Sequence, residues 1–165
     1  MRMRRVVLAA LALCFVSGAC HVRASLGLAR DCRGANLAVT GIESDGMGGD
    51  LIGLRNESSS TCALRQFPTK LTGTSDAGSS EIPIIGRMKS PLVPKAGNLK
   101  PRAIGRVVLG PVEQCPPPRP GYETPAPQRY HDLQLFVTGG GAVSLTNLTL
   151  DVTCGARATQ LGVPR

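Results

Sequence analysis

The eight residues from Asn147 to Cys154 narrow the fold more than any other stretch of the chain. Leu148, Leu150, Val152 and Cys154 share one face of an extended backbone there, and Thr149, Asp151 and Thr153 share the other. A period of two belongs to a half-buried antiparallel strand, with its apolar side on a core and its polar side in water. The pattern is anticipated in Asp132 to Thr138, where Leu133, Leu135 and Val137 alternate with Gln134, Phe136 and Thr138 before Gly139-Gly140-Gly141 turns the chain. Two neighbouring strands with one apolar face each need an opposing layer to cover them.

The rest of the chain supplies short runs of the same kind. Twenty Gly and thirteen Pro in 165 residues interrupt long hydrogen-bonded runs and leave little room for helices. With 3% aromatic residues and no Trp, the core has to be built from Leu, Val and Ile, and the length suits one domain. Asn36 to Glu43 and Leu51 to Arg55 flank the turn-rich Asp45 to Gly49, which predicts a hairpin or neighbouring strands. Gly53 to Pro68 reads as a strand ending at Asn56, a serine turn, and a strand with Cys62 and Leu64 on one face and Ala63 and Arg65 on the other. Lys70 to Thr74 is a weaker strand, Ser75 to Ser80 a turn, and Glu81 to Ile85 an edge strand, because Pro83 cannot donate to a ladder. Gly97-Asn98 marks a turn ahead of the strand Ala103 to Leu109. Seven to nine such strands predict an all-β chain, an immunoglobulin-like antiparallel β-sandwich, with a small β-barrel as the alternative. Gly110 to Gln128, with six prolines in its core after Cys115, reads as a stiff polyproline-like connector across the sandwich in preference to a recognition ligand.

The N-terminus reads as a leader. Arg2, Arg4 and Arg5 precede the apolar run Val6 to Val16, and the small residues Ser17, Gly18 and Ala19 follow. Eleven apolar residues cover about half of a bilayer core, so no transmembrane helix is expected after processing. The expected organisation is a leader over 1–24 cleaved before Cys20 or Ser25, a short linker over 25–31, the sandwich over 32–156, and a flexible tail over 157–165. Ser17-Gly18-Ala19-Cys20 resembles the lipobox of bacterial lipoproteins, with Ser17 where that pattern usually has an aliphatic residue. The resemblance implies diacylation of Cys20 and anchoring to the outer face of the membrane.

Cysteine count bears on this. Cys14 leaves with the leader, and Cys32, Cys62, Cys115 and Cys154 form an even set in an oxidising compartment, where Cys20 would be an odd thiol unless lipidated or removed. Four cysteines allow three connectivities. Cys32 with Cys62 and Cys115 with Cys154 is favoured, since each pair ties the start of a segment to the strand that closes it. The chain-entropy model gives such loops about 3.5 to 4 kcal/mol each at most. Zinc fails on spacing, because there is no CxxC and His131 is the only histidine beyond His21.

No catalytic constellation stands out. A nucleophile needs a base within hydrogen-bond reach, and His131, followed by Asp132 at a strand start, reads as a solvated residue. The glycine-rich stretches Gly46 to Gly49 and Gly139 to Gly141 lack the helix that a phosphate loop opens, and no cofactor or metal is expected. The formal charge of +8 falls to +4 once Arg2, Arg4, Arg5 and Arg23 leave, with all eleven acids kept. Arg87, Lys89, Lys95, Lys100, Arg102 and Arg106 nevertheless lie in twenty residues free of Asp and Glu. Gathered by the Gly97-Asn98 turn, they would form a cationic face for an anionic envelope polymer or a membrane surface. Export and the lack of aromatics to stack on bases speak against nucleic acid, and a monomer is expected.

Cys32-Arg33 with Leu37-Ala38-Val39, Leu54-Arg55-Asn56-Glu57-Ser58, Cys62-Ala63-Leu64-Arg65-Gln66-Phe67-Pro68 and Cys154-Gly155 together resemble the domain of unknown function 4232. That family comprises exported and lipid-anchored envelope proteins, mainly of actinobacteria. It shows an early Cys, an apolar strand ending in Asn-x-Ser, and a Cys-x-Leu-x-Gly-aromatic-Pro stretch, in which Gln66 replaces the Gly here. The resemblance covers about Cys32 to Cys154 and implies an exported β-sandwich with no catalytic residues to carry over. The expected role is therefore a noncatalytic binding or structural one in the cell envelope, the alternative being a secreted hydrolase or redox enzyme on the same sandwich.

Overall fold

The computed structural model describes residues 29–93, 95–115 and 125–163. The leader, Cys20 and residues 116–124 of the proline-rich segment lie outside the described residues. A single 3₁₀ turn at Gly34–Asn36 leads into β1 (Leu37–Ser44), β2 (Asp50–Asn56), β3 (Cys62–Leu64), β4 (Lys70–Ser75), β5 (Gly78–Ile82) and β6 (Ile84–Arg87). They are followed by β7 (Gly97–Leu99), β8 (Ile104–Pro111), β9 (Gln128–Phe136), β10 (Ala142–Leu145), β11 (Leu150–Val152) and β12 (Ala156–Ala158). Among the described residues there is no helix long and apolar enough to cross a membrane.

These strands form a disulfide-bonded sandwich and no closed barrel. One sheet runs β1-β2-β8-β12-β6 and the other β10-β9-β4-β5, with β11 also paired to β9 and a small β3-β7 ribbon at the side. Ile52, Leu54, Val107 and Leu109 of the first sheet and Leu71, Leu133, Leu135 and Leu145 of the second are fully buried in one core cluster. The aliphatic core expected from the scarcity of aromatics is thus the core observed, and Tyr130 is its one buried aromatic ring among the described residues.

Alternation is kept where the sequence showed it best. β10 pairs β9 with Val143 opposite Leu135 and Leu145 opposite Leu133, all facing the core. The strand expected over Asn147 to Cys154 is shorter, Leu150–Val152, because Thr146 and Asn147 form a turn, and Cys154 is half-buried past the strand end. The β1-β2 hairpin turns through Asp45 to Gly49 as expected. Its Asp45 carboxylate accepts from the Met47 and Gly49 amides at 2.7 and 2.9 Å, and Gly46 and Gly48 take positive φ, a conformation that glycine adopts without steric cost.

Pro83 acts as more than an edge marker. It divides the expected Glu81 to Ile85 strand into β5, which pairs β4, and β6, which pairs β12, so the chain changes sheets there. Its own carbonyl accepts from the Ala156 amide at 2.8 Å. Twelve strands form among the described residues, above the seven to nine expected.

Two expectations are corrected. The tail expected over 157–165 is, through Val163, part of the fold: β12 lies between β8, antiparallel, and β6, parallel, with Ala156, Ala158, Thr159 and Leu161 buried. The physical reason is space, since alanines at 156 and 158 fit beneath the opposing sheet while carrying little hydrophobic signal. Gly97-Asn98, expected as a turn, is strand β7 paired to β3. The turn falls at Lys100 to Ala103, where the Ala103 amide donates to the Lys100 carbonyl at 3.1 Å and Arg102 has φ 64° after Pro101. Proline at the second position and positive φ at the third are the features of a type II turn.

Candidate functional site

Both disulfides form in the favoured pairing. Cys32 and Cys62 approach to 4.9 Å between Cα atoms and are buried beside β3, while Cys115 and Cys154 stand 5.7 Å apart and are half-buried. The first bridge fastens the entry to the domain onto the β3-β7 ribbon, where the Cys32 amide donates to the Ala63 carbonyl at 3.0 Å. The second joins the end of the β8 segment to the bend after β11. As disulfides these cysteines hold no thiol for metal or nucleophilic chemistry.

Gly97-Asn98 is strand, so no turn there gathers the six cations, and Arg87 and Arg102 have partners of their own. Arg87, at the end of β6, lies over the Phe67 ring with its guanidinium carbon 4.7 Å from the centroid. Arg102, in the turn before β8, pairs with Glu57, which also binds Arg55. Arg55 first, and Arg102 with it, hold the Glu57 carboxyl below the usual carboxylate range. Arg106 stands on the outer face of the first sheet, where Glu43 and Ile104 line the same shallow hollow. Lys89, Lys95 and Lys100 are exposed on either side of β7, with no ion-pair partner among the described residues.

His131 and Asp132 lie on β9, and the structure gives them an arrangement that the sequence did not announce. β4 advances from Thr72 to Thr74 while β9 goes from Gln134 to His131, so β9 carries one extra residue, a β-bulge. Asp132 takes φ 49° there, a conformation uncommon outside glycine but least costly for Asp and Asn. Both side chains are consequently exposed on the outer face, with His131 Nδ1 2.8 Å from Asp132 Oδ2. Among the described residues no serine or threonine hydroxyl bonds that imidazole.

A hollow of about 520 Å³ runs along the free edge of β1 between Val39–Ile42 and the Thr146–Thr149 turn, with Asp50 at its end. Burial first, and the neighbouring Asp45 carboxylate second, push the Asp50 carboxyl up from its ordinary value. A raised folded-state pKa in an acid means that ionisation opposes folding, so stability falls as pH rises through the window just above the ordinary carboxylate value and is regained below it. Asp50→Asn is therefore expected to raise the thermal midpoint at neutral pH and to flatten this part of the profile; an unchanged or lower midpoint at pH 7 counts against the assignment.

No group of three metal-ligating side chains occurs among the described residues. Comparison with protein-family models, with curated proteins and with solved structures found no match.

Proposed function

We propose that the chain is an exported, noncatalytic protein of the cell envelope with a binding or structural role, of the kind implied by its resemblance to the domain of unknown function 4232. The observation that carries this reading is the pair of disulfides closing the sandwich, since such bridges persist in oxidising compartments. The basic n-region and apolar run ahead of Cys20 support the same compartment. Its ligand in this reading is an anionic wall polymer or phospholipid headgroup, met by Lys89, Lys95 and Lys100, three exposed cations that make no ion pair among the described residues.

Intact mass of the mature protein from its native envelope, with and without reduction, tests the compartment. Diacylated Cys20 or a chain starting at Ser25 supports export, and a gain of four protons on reduction is expected from two bridges. An unprocessed Met1 chain would sink the proposal. The binding half is tested with Lys95→Glu/Lys100→Glu by sedimentation with phosphatidylglycerol vesicles. Each lysine near an anionic surface contributes about 1 kcal/mol, so the double reversal is expected to weaken binding about thirtyfold or more at low salt. In the parent, binding should decline steeply between 50 mM and 300 mM salt, roughly the range over which the screening length shrinks past side-chain dimensions. Equal binding by the variant would remove these lysines from the interface.

A further inference from the structure

The outer face of the second sheet holds a site that the cationic side does not explain. β4 turns Leu71 and Gly73 inward and Thr72 and Thr74 outward, and the register places Ser79 opposite Thr74 and Glu81 opposite Thr72 on β5. On the other side of β4, Gln134 stands opposite Thr72, and the bulge delivers Asp132 to the same face. These six side chains line an open hollow of about 410 Å³. Every one of them carries a hydroxyl, carboxamide or carboxylate, and no apolar side chain enters the floor. The Thr72 hydroxyl and the Gln134 carboxamide, neighbours at its centre, make no side-chain hydrogen bond among the described residues. Glu81 is bound at 2.9 Å by Lys70, while Asp132 has His131 as its neighbour.

We propose that this hollow binds a segment of a neutral glycan. Its inventory, an amide that both donates and accepts, hydroxyls that do either, and carboxylates that accept, matches the row of hydroxyls that a sugar chain presents. Other ligand classes fit worse. Lys70 offsets Glu81, and Asp132 adds a second carboxylate to the lining, which disfavours an anionic polymer. A cation finds less support, since among the described residues no group of three His, Cys, Asp or Glu side chains is placed to hold a metal ion. The backbone groups of β4 and β9 are engaged on both sides, which removes strand addition by a peptide at this face.

The bulge connects strain with this role. A glycine at 132 would relax the positive φ, so the chain keeps a conformation costlier than needed and gains from it an exposed carboxylate beside Gln134. The test uses the mature full-length chain, isotope-labelled, titrated with four neutral hexaoses: β-1,4-glucose, α-1,4-glucose, β-1,4-mannose and β-1,4-N-acetylglucosamine. At least one is expected to shift the Gln134 side-chain amide and the Thr72 to Thr74 backbone amides, with a dissociation constant of about 0.1–1 mM, as suits an open polar site. Gln134→Ala and Asp132→Gly should each weaken that binding about fivefold, the effect of one lost hydrogen bond. Asp132→Gly should melt no lower than the parent, so its weaker binding cannot come from unfolding. The proposal is overturned if no hexaose shifts these resonances up to about 10 mM, if both variants bind like the parent, or if polygalacturonate, an anionic glycan, binds the hollow as well as the neutral ones do.

Discussion

A chain ended at Gly155 is expected to lose its cooperative unfolding transition altogether. The deletion removes β12 from between β8 and β6, and with it the hydrogen bonds that these strands direct inward. Arg106 loses its reciprocal pair with Gly162, at 2.8 and 2.9 Å, the Val108 amide loses the Thr159 hydroxyl at 2.9 Å, and the Met88 amide loses the Ala158 carbonyl at 2.8 Å. Backbone groups left unpaired and buried cost about 1–3 kcal/mol each. Loss of Leu161, 3% exposed, subtracts about 2 kcal/mol more of apolar burial. Together these are comparable to the roughly 5–15 kcal/mol that holds a domain of this size folded. Circular dichroism melts check it: the chain ended at Gly155 should show no sigmoidal transition, whereas one ended at Val163 should melt within a few degrees of the full chain. A cooperative melt of the shorter chain would mean that β12 is an appendage and not a central strand.

That strand also shows where sequence reasoning stops. The period-two runs of β9 and the β10 to β11 region, the cystine pairing, and the scarcity of aromatic core residues were legible because each leaves a local mark. β12 leaves almost none. Ala156 and Ala158 are chosen for size, and Arg157, between them, reaches outward to Glu113 and the Met47 carbonyl, so the stretch reads as polar. The Lys100 to Ala103 turn was hidden for a different reason. Arg102 occupies a position where glycine or asparagine would have announced positive φ, and its contact with Glu57, 45 residues earlier, belongs to tertiary structure.

The hollow on the second sheet lies between these extremes. Thr72, Thr74, Gln134 and Glu81 are visible in the sequence as the polar half of an alternation, which any solvated sheet face would show. What singles the site out is the extra residue in β9, and its one trace is spacing: Tyr130 and Leu133 are both buried though three apart, an interval that unbroken alternation does not allow. In the chain alone, that interval looks like the beginning of a strand, as the expected start at Asp132 did.

Asn56 carries the second large effect, expected to cost about 4 kcal/mol in Asn56→Asp and about 3 kcal/mol in Asn56→Leu. It is fully buried, and all of its polar groups are engaged. The side-chain amide donates to the Ser60 carbonyl at 2.9 Å and to the Leu99 carbonyl at 3.0 Å, and the side-chain oxygen accepts from the Ser58 amide and hydroxyl at 3.0 and 2.7 Å. Its backbone adds the Ala103 carbonyl and the Arg102 amide, at 3.0 and 2.8 Å. One residue thus ties the end of β2 to the serine loop, to β7 and to the turn before β8, which gives a physical reason for asparagine followed two residues later by serine. Leucine takes the side-chain donor from the Leu99 and Ser60 carbonyls, the second of which keeps the Ser58 hydroxyl, and the acceptor from the Ser58 amide, and aspartate does worse, setting a carboxylate oxygen against the two carbonyl oxygens that the amide had satisfied. Burial without a donor raises the pKa of that carboxyl above its unfolded value, so the deficit of Asn56→Asp is largest above the raised pKa and shrinks as pH falls toward the ordinary carboxylate range. Urea unfolding at pH 7.5 and pH 4.5 separates the cases: the gap between the aspartate variant and its parent should narrow at the lower pH, while the leucine gap stays constant. A gap below about 1 kcal/mol for both variants would show that water replaces the amide in this position, and that the four strand ends are held together by their backbones alone.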